Sequence, residues 1–338
     1  MGEQVRWGIL SAANIAAWQF IPAVKASRRG VLEAVAARDP ARAAKYAEAQ
    51  GIRRVVADYA ALVADPDIEA IYVPLPNALH AEWTIAAARA GKHVFCEKPL
   101  AADAASAQAA VLACERAGVV AFESFVYRYH PQTLRIAAWL RAGAIGEVRG
   151  VHAAFHFTMT GSKRQTDIRM SAPLAGGSLM DVGCYPISWL RFVFGEEPVA
   201  ATARGIWHPT QRVDTHLSGM LHFSGERAGT FSCSFDSNTS LLTRIVGTDG
   251  EIVVTQPYHP RGGEATVTLR RSGRPEEVCH DARDEPAFLA AVEHFHDCVL
   301  AGAHPILTAR DGIGNMAAID AVRRSAEGGG RTEPVRQP

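Results

Sequence analysis

The first third of the chain alternates short apolar runs with helical patterns of about ten to fifteen residues, and this rhythm limits the fold more than any other feature. "VRWGIL" at 5–10 reads as a strand and "VLEAVAAR" at 31–38 as a second. Asp39 and Pro40 then supply an N-cap and a first helical residue for a helix running to Gly51. "AIYVPLP" at 70–76 is another strand, followed by a helix over about 78–90 with Gly91 in the C′ place. "HVFCE" leads into an Ala-rich helix from Asp103 to about Ala117, and "VVAFESF" at 119–125 closes the series. Units of this kind build a parallel sheet with right-handed crossovers. Such a sheet binds ligands in the crevice at the carboxyl ends of its strands.

The texture changes after about residue 145. "EVRGVHAAFHF" (147–157), "THLSGMLHF" (215–223), "GTFSCSF" (229–235), "LLTRIVG" (241–247), "EIVVT" (251–255) and "EATVTLR" (264–270) are β-rich, several with alternating apolar and polar residues. That pattern predicts an antiparallel sheet with one wet or cofactor-facing side. One helical segment, about 178–194, interrupts it, and 285–326 reads as two more helices. The expected fold class is α/β, with an N-terminal doubly wound parallel sheet followed by a C-terminal part that holds a mostly antiparallel sheet. The expected domains are 1–125 and 126–330, with the C-terminal helices free to pack back on the first.

Composition excludes several partners. Lys+Arg and Asp+Glu are 35 each, so no bulk field draws nucleic acid or an anionic membrane. Six cysteines, with no close pair, suit a reducing compartment better than a disulfide framework. The N-terminus enters a strand at once, and no apolar run reaches transmembrane length. A soluble, cytoplasmic protein is expected.

The first βα turn reads Gly8-Ile-Leu-Ser11-Ala-Ala13-Asn14-Ile15-Ala16. Ser11, Ala13 and Ala16 stand where a GxGxxG fingerprint has glycines. Their small side chains still let backbone approach a pyrophosphate at a helix N-terminus. At the end of the second strand an NAD site usually places an acid. This chain has Arg38 there, with Arg42 and Lys45 following, and guanidinium suits a 2′-phosphate. Asp39, beside Pro40, reads as an N-cap. NADP is the expected cofactor, with NAD the alternative.

Two further stretches carry chemistry. "CEKP" puts Lys98 at the carboxyl end of a buried-looking strand, where an α/β sheet binds its ligand. In "GGSLMDVGCYP", Asp181 and Tyr185 are four apart and share a helix face near its start, because Pro186 is tolerated only in a first turn.

"GILSAANIA", "LPNALHAEWTIAAARAGKHVFCEKPLA", "ESFVYRYHPQ" and "GGSLMDVGCYP" together resemble the glucose–fructose oxidoreductase / inositol dehydrogenase (Gfo/Idh/MocA) family across nearly the whole chain. The nearest branch holds the dimeric dihydrodiol dehydrogenases, NADP-dependent xylose dehydrogenases and sugar ketoreductases. The resemblance implies an N-terminal Rossmann domain and a C-terminal α/β domain with a large, mostly antiparallel open sheet, and it implies that Lys98 and the residue at position 185 flank nicotinamide and substrate. It also implies a homo-oligomer, dimer or tetramer, joined through the C-terminal sheet. Many relatives carry His where this chain has Tyr185, which argues against a plain inositol dehydrogenase.

The reaction implied is hydride transfer between nicotinamide and a secondary alcohol, ketone or anomeric carbon of a sugar, polyol or cyclic diol. Tyr185 or Lys98 would move the proton, with Lys98 favouring phenolate and Asp181 holding substrate or lysine. Gly8, Ser11, Ala13, Asn14, Ile15, Arg38, Pro74, Leu75, Asn77, His80, Glu97 and Lys98 are the expected cofactor contacts. Weaker substrate candidates are Tyr127, Arg128, His156 and Arg169, with His152 and Lys163 behind them. "EHFHD" (293–297) is not expected to bind metal, because its two histidines diverge on a helix. Two other classes stay open: a non-catalytic dinucleotide sensor, and a lyase or hydrolase that works through a keto intermediate with tightly held NAD.

Overall fold

The structure is a computed structural model that describes residues 4–260, 265–280 and 286–338, without the side chains of residues 162 and 163. Lys163 therefore lies outside the described side chains. Contacts divide the chain into two compact units, Met1–Tyr129 with Glu285–Ile313, and His130–Asp284 with Gly314–Pro338. The first division thus falls after Tyr129 rather than after residue 125. Tyr129 stays with the first unit because its ring stacks on Phe122 at 5.5 Å.

The first unit is a six-stranded parallel sheet of β1 (Val5–Leu10), β2 (Gly30–Ala36), β3 (Arg54–Val55), β4 (Ala70–Val73), β5 (His93–Cys96) and β6 (Ala121–Glu123). Its order is β3-β2-β1-β4-β5-β6. The order reverses between β1 and β4, which opens a crevice at their carboxyl ends. Helices α1 (Ile21–Ala26), α2 (Pro40–Gln50), α3 (Tyr59–Ala64), α4 (His80–Arg89) and α5 (Ala104–Ala117) make the crossovers. Asp39 caps α2 by accepting from the backbone N–H groups of Ala41 and Arg42, and Gly51 ends it in the left-handed conformation. Apart from the short β3, the strands are mostly buried on both faces and so read as near-continuous apolar runs. Trp7, Phe20, Tyr72, Phe95, Phe122 and Phe295 form an aromatic core. Phe295 comes from α8 (Leu289–Ala301), which belongs to this unit; α6 (Pro131–Arg141) and α7 (Cys184–Phe194) belong to the second.

The second unit is a nine-stranded sheet of β7 (Val148–Thr158), β8 (Ala200–Trp207), β9 (Asp214–His222), β10 (Ala228–Ser234), β11 (Asp236–Gly247), β12 (Gly250–Val254), β13 (Thr266–Arg271), β14 (Glu277–His280) and β15 (Glu333–Pro334). The order is β14-β13-β12-β11-β7-β10-β9-β8-β15, and only β7 and β10 pair in parallel. Val151, Ala153 and Phe155 of β7 lie with Leu217, Leu221, Cys233 and Ile245 on a buried face that α7 covers. The other face is open, which is the alternation seen in the sequence. Helix α9 (Arg310–Glu327) spans the boundary between Ile313 and Gly314. Among the described residues no helix is long and apolar enough to cross a membrane.

Candidate active site

In the first unit the turn after β1 is built from small residues. Ser11 takes a φ of 88° and donates its N–H to the Ala36 carbonyl at 2.7 Å. A helical segment starts at Asn14 and Ile15 and runs through a π-helical turn, Ala16–Phe20, into α1. The turn is braced from α2: Arg42 Nη2 donates to the Ala12 carbonyl at 2.8 Å, and Tyr46 OH to the Ala13 carbonyl at 2.9 Å. Gly8 lies inside β1, where an added Cβ would come within 2.6 Å of Leu62, so it serves strand–helix packing. Arg38, just past β2, is exposed.

Lys98 follows β5 directly, and its peptide bond to Pro99 is cis. Five contacts hold this turn. His80 at the start of α4 is buried, with Nδ1 at 2.7 Å from the Pro99 carbonyl and Nε2 at 2.7 Å from the Leu75 carbonyl. Leu100 N–H donates to Glu123 Oε1 at 2.8 Å. Glu97, buried, accepts from Tyr72 OH at 2.6 Å and from the Lys98 N–H at 3.3 Å. Burial raises the Glu97 pKa above the usual carboxylate range, against the hydrogen bond from Tyr72 and the charge of Lys98. Burial, and then the Glu97 charge, push the Tyr72 phenol up. Pro74 and Leu75 are buried at the end of β4, while Asn77 and Lys98 are partly exposed.

In the second unit Asp181 and Tyr185 lie on one helical run. Leu179–Gly183 is a π-helical turn that passes into α7. Asp214 fixes its start: Oδ2 accepts from Ser178 Oγ at 2.6 Å and from the Leu179 N–H at 2.7 Å. Burial raises the Asp214 pKa, against these two hydrogen bonds. Gly177 leads in with φ 111°, and a Cβ there would stand 2.2 Å from Asp214 Oδ1, so no other residue fits. The buried Tyr185 ring packs against Phe155, Tyr258 and His259 at centroid distances of 5.5, 5.5 and 5.3 Å. Asp181 is partly exposed, with Arg169 Nη1 at 3.6 Å from its Oδ2. Arg169 is itself held by a bidentate pair with Asp167 at 2.9 and 2.8 Å and lies over the Phe157 ring.

Residues 5–125 match the family model for the Gfo/Idh/MocA oxidoreductase family with an NAD-binding Rossmann fold, and residues 133–253 match its C-terminal domain. The chain belongs to the Gfo/Idh/MocA family. It is 38% identical to a D-xylose 1-dehydrogenase (NADP(+)) of Haloferax volcanii over 97% of this chain and 99% of that one. It is 30% identical to a trans-1,2-dihydrobenzene-1,2-diol dehydrogenase of Xenopus tropicalis, covering 90% and 93%. Among solved structures, a 3-ketoreductase from Actinomadura kijaniata in complex with NADP and TDP-benzene superposes with a TM-score of 0.88 at 29% identity, covering 96% and 98%. Forms of that ketoreductase with one tyrosine or one lysine replaced have also been solved.

Several residues sit differently in this Gfo/Idh/MocA chain from the sequence expectation. His80 offers no ring nitrogen to a ligand, since carbonyls face both. His156 lies on the open face of the sheet, bonded to Ser232 Oγ at 2.8 Å. Neighbouring Phe155 contacts Tyr185, and successive strand residues point to opposite faces, so His156 points away from Tyr185. His152 shares that open face and bonds Thr230 at 2.7 Å. Tyr127 is buried, 1% exposed, against Phe125. His296 turns to Trp7 and Ser27, while His294 meets Phe122 and Tyr129. Among the described residues no three metal-ligating side chains converge. Asp214, Phe155, Tyr258 and His259 were not singled out in the sequence. "QPYHP" holds two ring side chains in a loop, which was the only local signal for the last pair.

Proposed function

We propose that this protein is an NADP(H)-dependent oxidoreductase acting on a secondary alcohol, ketone or anomeric carbon of a sugar or cyclic diol. The observation that carries the reading is the buried clamp around Lys98. The backbone at the carboxyl end of β5, where Lys98 stands, is held by His80, Glu97 and Glu123. Such a turn roots one lysine side chain at a ligand-binding edge of the sheet.

The dinucleotide fits the residues present. Ser11 and Ala13 leave the backbone of the β1 turn open, a helix starts at Asn14, and exposed Arg38 suits a 2′-phosphate. When bound, the nicotinamide donates or accepts the hydride. This chain moves the proton: Tyr185 donates it to the substrate oxygen in reduction and removes it in oxidation. Lys98 stabilises the charge that develops there and eases ionisation of the phenol. Asp181 orients the substrate hydroxyl, and Arg169 orients Asp181. Phe155, Tyr258 and His259 fix the Tyr185 ring and keep water from it. The open sheet face, where Ile206 and Leu242 are 63% and 41% exposed, is assigned to a second copy of the chain.

A screen tests the reading. NADP reduction is measured with aldoses, inositols and cyclic diols, and NADPH oxidation with keto-sugars. Turnover in one of these pairs is expected; silence across both directions overturns the reading. Sedimentation velocity of the purified protein tests the second copy, and a monomer at micromolar concentration removes it.

A further inference from the structure

Arg42 and Tyr46 are four apart on α2, so they share one face of that helix. Asp39 and Pro40 fix where α2 starts, and with it the direction in which this face looks. Both side chains end on the turn after β1. Arg42 Nη2 donates to the Ala12 carbonyl at 2.8 Å, and Tyr46 OH donates to the Ala13 carbonyl at 2.9 Å. The Tyr46 ring packs on Ala12, Ala37 and Ala43, whose short side chains leave it room. Burial is the main cause that pushes its phenol pKa up to about 12, against the Arg42 charge and the Ala17 N–H. The phenol therefore keeps its proton near neutral pH and acts as a donor to the carbonyl, which can only accept.

These two bonds decide which way two peptide groups face. A trans peptide carries its C=O and its N–H on opposite sides. The Ala12 oxygen and the Ala13 N–H belong to one peptide, the Ala13 oxygen and the Asn14 N–H to the next. With both carbonyls held toward α2, the N–H groups of Ala13 and Asn14 point away from it. They stand where a helical segment begins at Asn14 and runs to Ala26, at the end where a helix attracts an anion. The guanidinium on the Ala12 oxygen also polarises that peptide and makes its N–H a stronger donor.

Glycines are the usual means of bringing such a turn close to a diphosphate, and this chain has Ser11, Ala13 and Ala16 in their places. A turn with less conformational freedom needs its peptide planes set from outside. We propose that Tyr46, with Arg42 one helical turn before it, is a positioning residue for the cofactor diphosphate: the pair draws the Ala12 and Ala13 carbonyls back to α2, so that the Ala13 and Asn14 N–H groups meet the phosphates. The inference rests on the dinucleotide reading given above.

Ligand binding to wild type and Tyr46→Phe decides it, using NADPH, NADH and 2′-AMP, which has no diphosphate. The substitution keeps the ring and its packing and removes only the hydroxyl. The Ala13 carbonyl still accepts from the Ala17 N–H at 3.3 Å, so it is not left without a donor. Tyr46→Phe is expected to raise the dissociation constants of NADPH and NADH alike, by about fivefold, the scale of one hydrogen bond. The constant for 2′-AMP, measured by displacement of NADPH, should not change. A purely structural role would loosen α2 and weaken 2′-AMP by the same factor, because Arg38 stands at the start of that helix; this result overturns the inference. An unchanged NADPH constant in the folded variant also overturns it and leaves the cofactor reading intact. A wild type that binds neither dinucleotide removes the cofactor reading itself, and the inference with it.

Discussion

The His80 ring sits 2.7 Å from the Pro99 carbonyl oxygen, so a buried histidine on α4 holds the turn that carries Lys98. The same ring reaches the Leu75 carbonyl, two residues past the end of β4. It therefore joins the ends of two neighbouring strands at the edge where the sheet is expected to meet its ligands. Burial lowers the His80 pKa, so the ring is neutral and its single N–H donates to one of the two carbonyls. Removing it leaves that buried carbonyl without its donor, at a cost of roughly 1–3 kcal/mol. His80→Ala is expected to lower kcat about tenfold, more than it changes the NADP dissociation constant. His80→Gln, which keeps one donor, should recover part of the loss. A kcat unchanged in His80→Ala would show that Lys98 does not depend on this clamp.

Lys98 and Tyr185 carry the proton in the proposed mechanism. Lys98→Ala and Tyr185→Phe should each cut turnover by at least about 10²-fold, the scale of losing acid–base help. Circular dichroism and melting temperature establish that each variant is folded. A folded variant with a normal rate removes that residue from the chemistry.

Cofactor choice separates two arginines. Arg38 is exposed at the end of β2, while Arg42 donates to the Ala12 carbonyl in the turn itself. Arg38→Ala is expected to raise the NADPH dissociation constant about tenfold and to leave that of NADH nearly unchanged. Arg42→Ala loosens the turn and should weaken both. Fluorescence titration with the two dinucleotides reads the difference, and an equal loss in Arg38→Ala would place the 2′-phosphate elsewhere.

Ser11 stands at a fingerprint glycine position with a φ of 88°, a conformation that a side chain disfavours. Holding it costs on the order of 1 kcal/mol. Ser11→Gly should relieve that strain, and glycine's greater freedom in the unfolded chain offsets part of the gain. A net rise in unfolding free energy of about 0.5 kcal/mol is expected from urea denaturation, with cofactor affinity retained. A loss of stability would mean that the Ser11 side chain makes up for its backbone.

The Rossmann unit was legible because its signals are local. Apolar strands buried on both faces, the Asp39–Pro40 cap and Gly51 are each read within a few residues. The sequence did not show β3, which is two residues long, or α3, which is six. Such short elements exist through tertiary packing, not propensity. The site was legible in part. Lys98, Asp181 and Tyr185 stand in short motifs, but the groups that fix them do not. Asp214 lies 35 positions from the N–H it caps, and His259 meets Tyr185 only through the fold. The orientation of His156 was hidden for the same reason. Alternation shows that His156 and Phe155 face opposite ways, but not which face a helix will cover.

His296 gives the fold a pH dependence of predictable sign. Trp7 Nε1 donates to its Nε2 at 3.1 Å, so the neutral ring keeps its proton on Nδ1, 3.1 Å from Ser27 Oγ. A second proton would sit on Nε2 and face the indole N–H. Burial is the main cause that pushes its pKa from about 6.5 down to about 4. Between those values the unfolded chain binds a proton that the folded chain refuses. Stability from this group is therefore intact above pH 6.5 and falls progressively as the pH drops toward 4, by about 3 kcal/mol at the most. Urea denaturation at pH 7.0, 6.0 and 5.0 should show that decline in the wild type. In His296→Gln the amide oxygen can still accept from Trp7 but does not titrate, so the slope over this window should be shallower, although the variant is less stable at pH 7.0. The neighbouring carboxylate Glu293 has its pKa lowered from about 4.5, because hydrogen bonds from Ser27 and Arg29 outweigh its burial, so its own contribution is lost only at the acid end of this window and below it. Parallel slopes in the two proteins would mean that His296 accepts the proton while folded, and that the Trp7 contact yields to it.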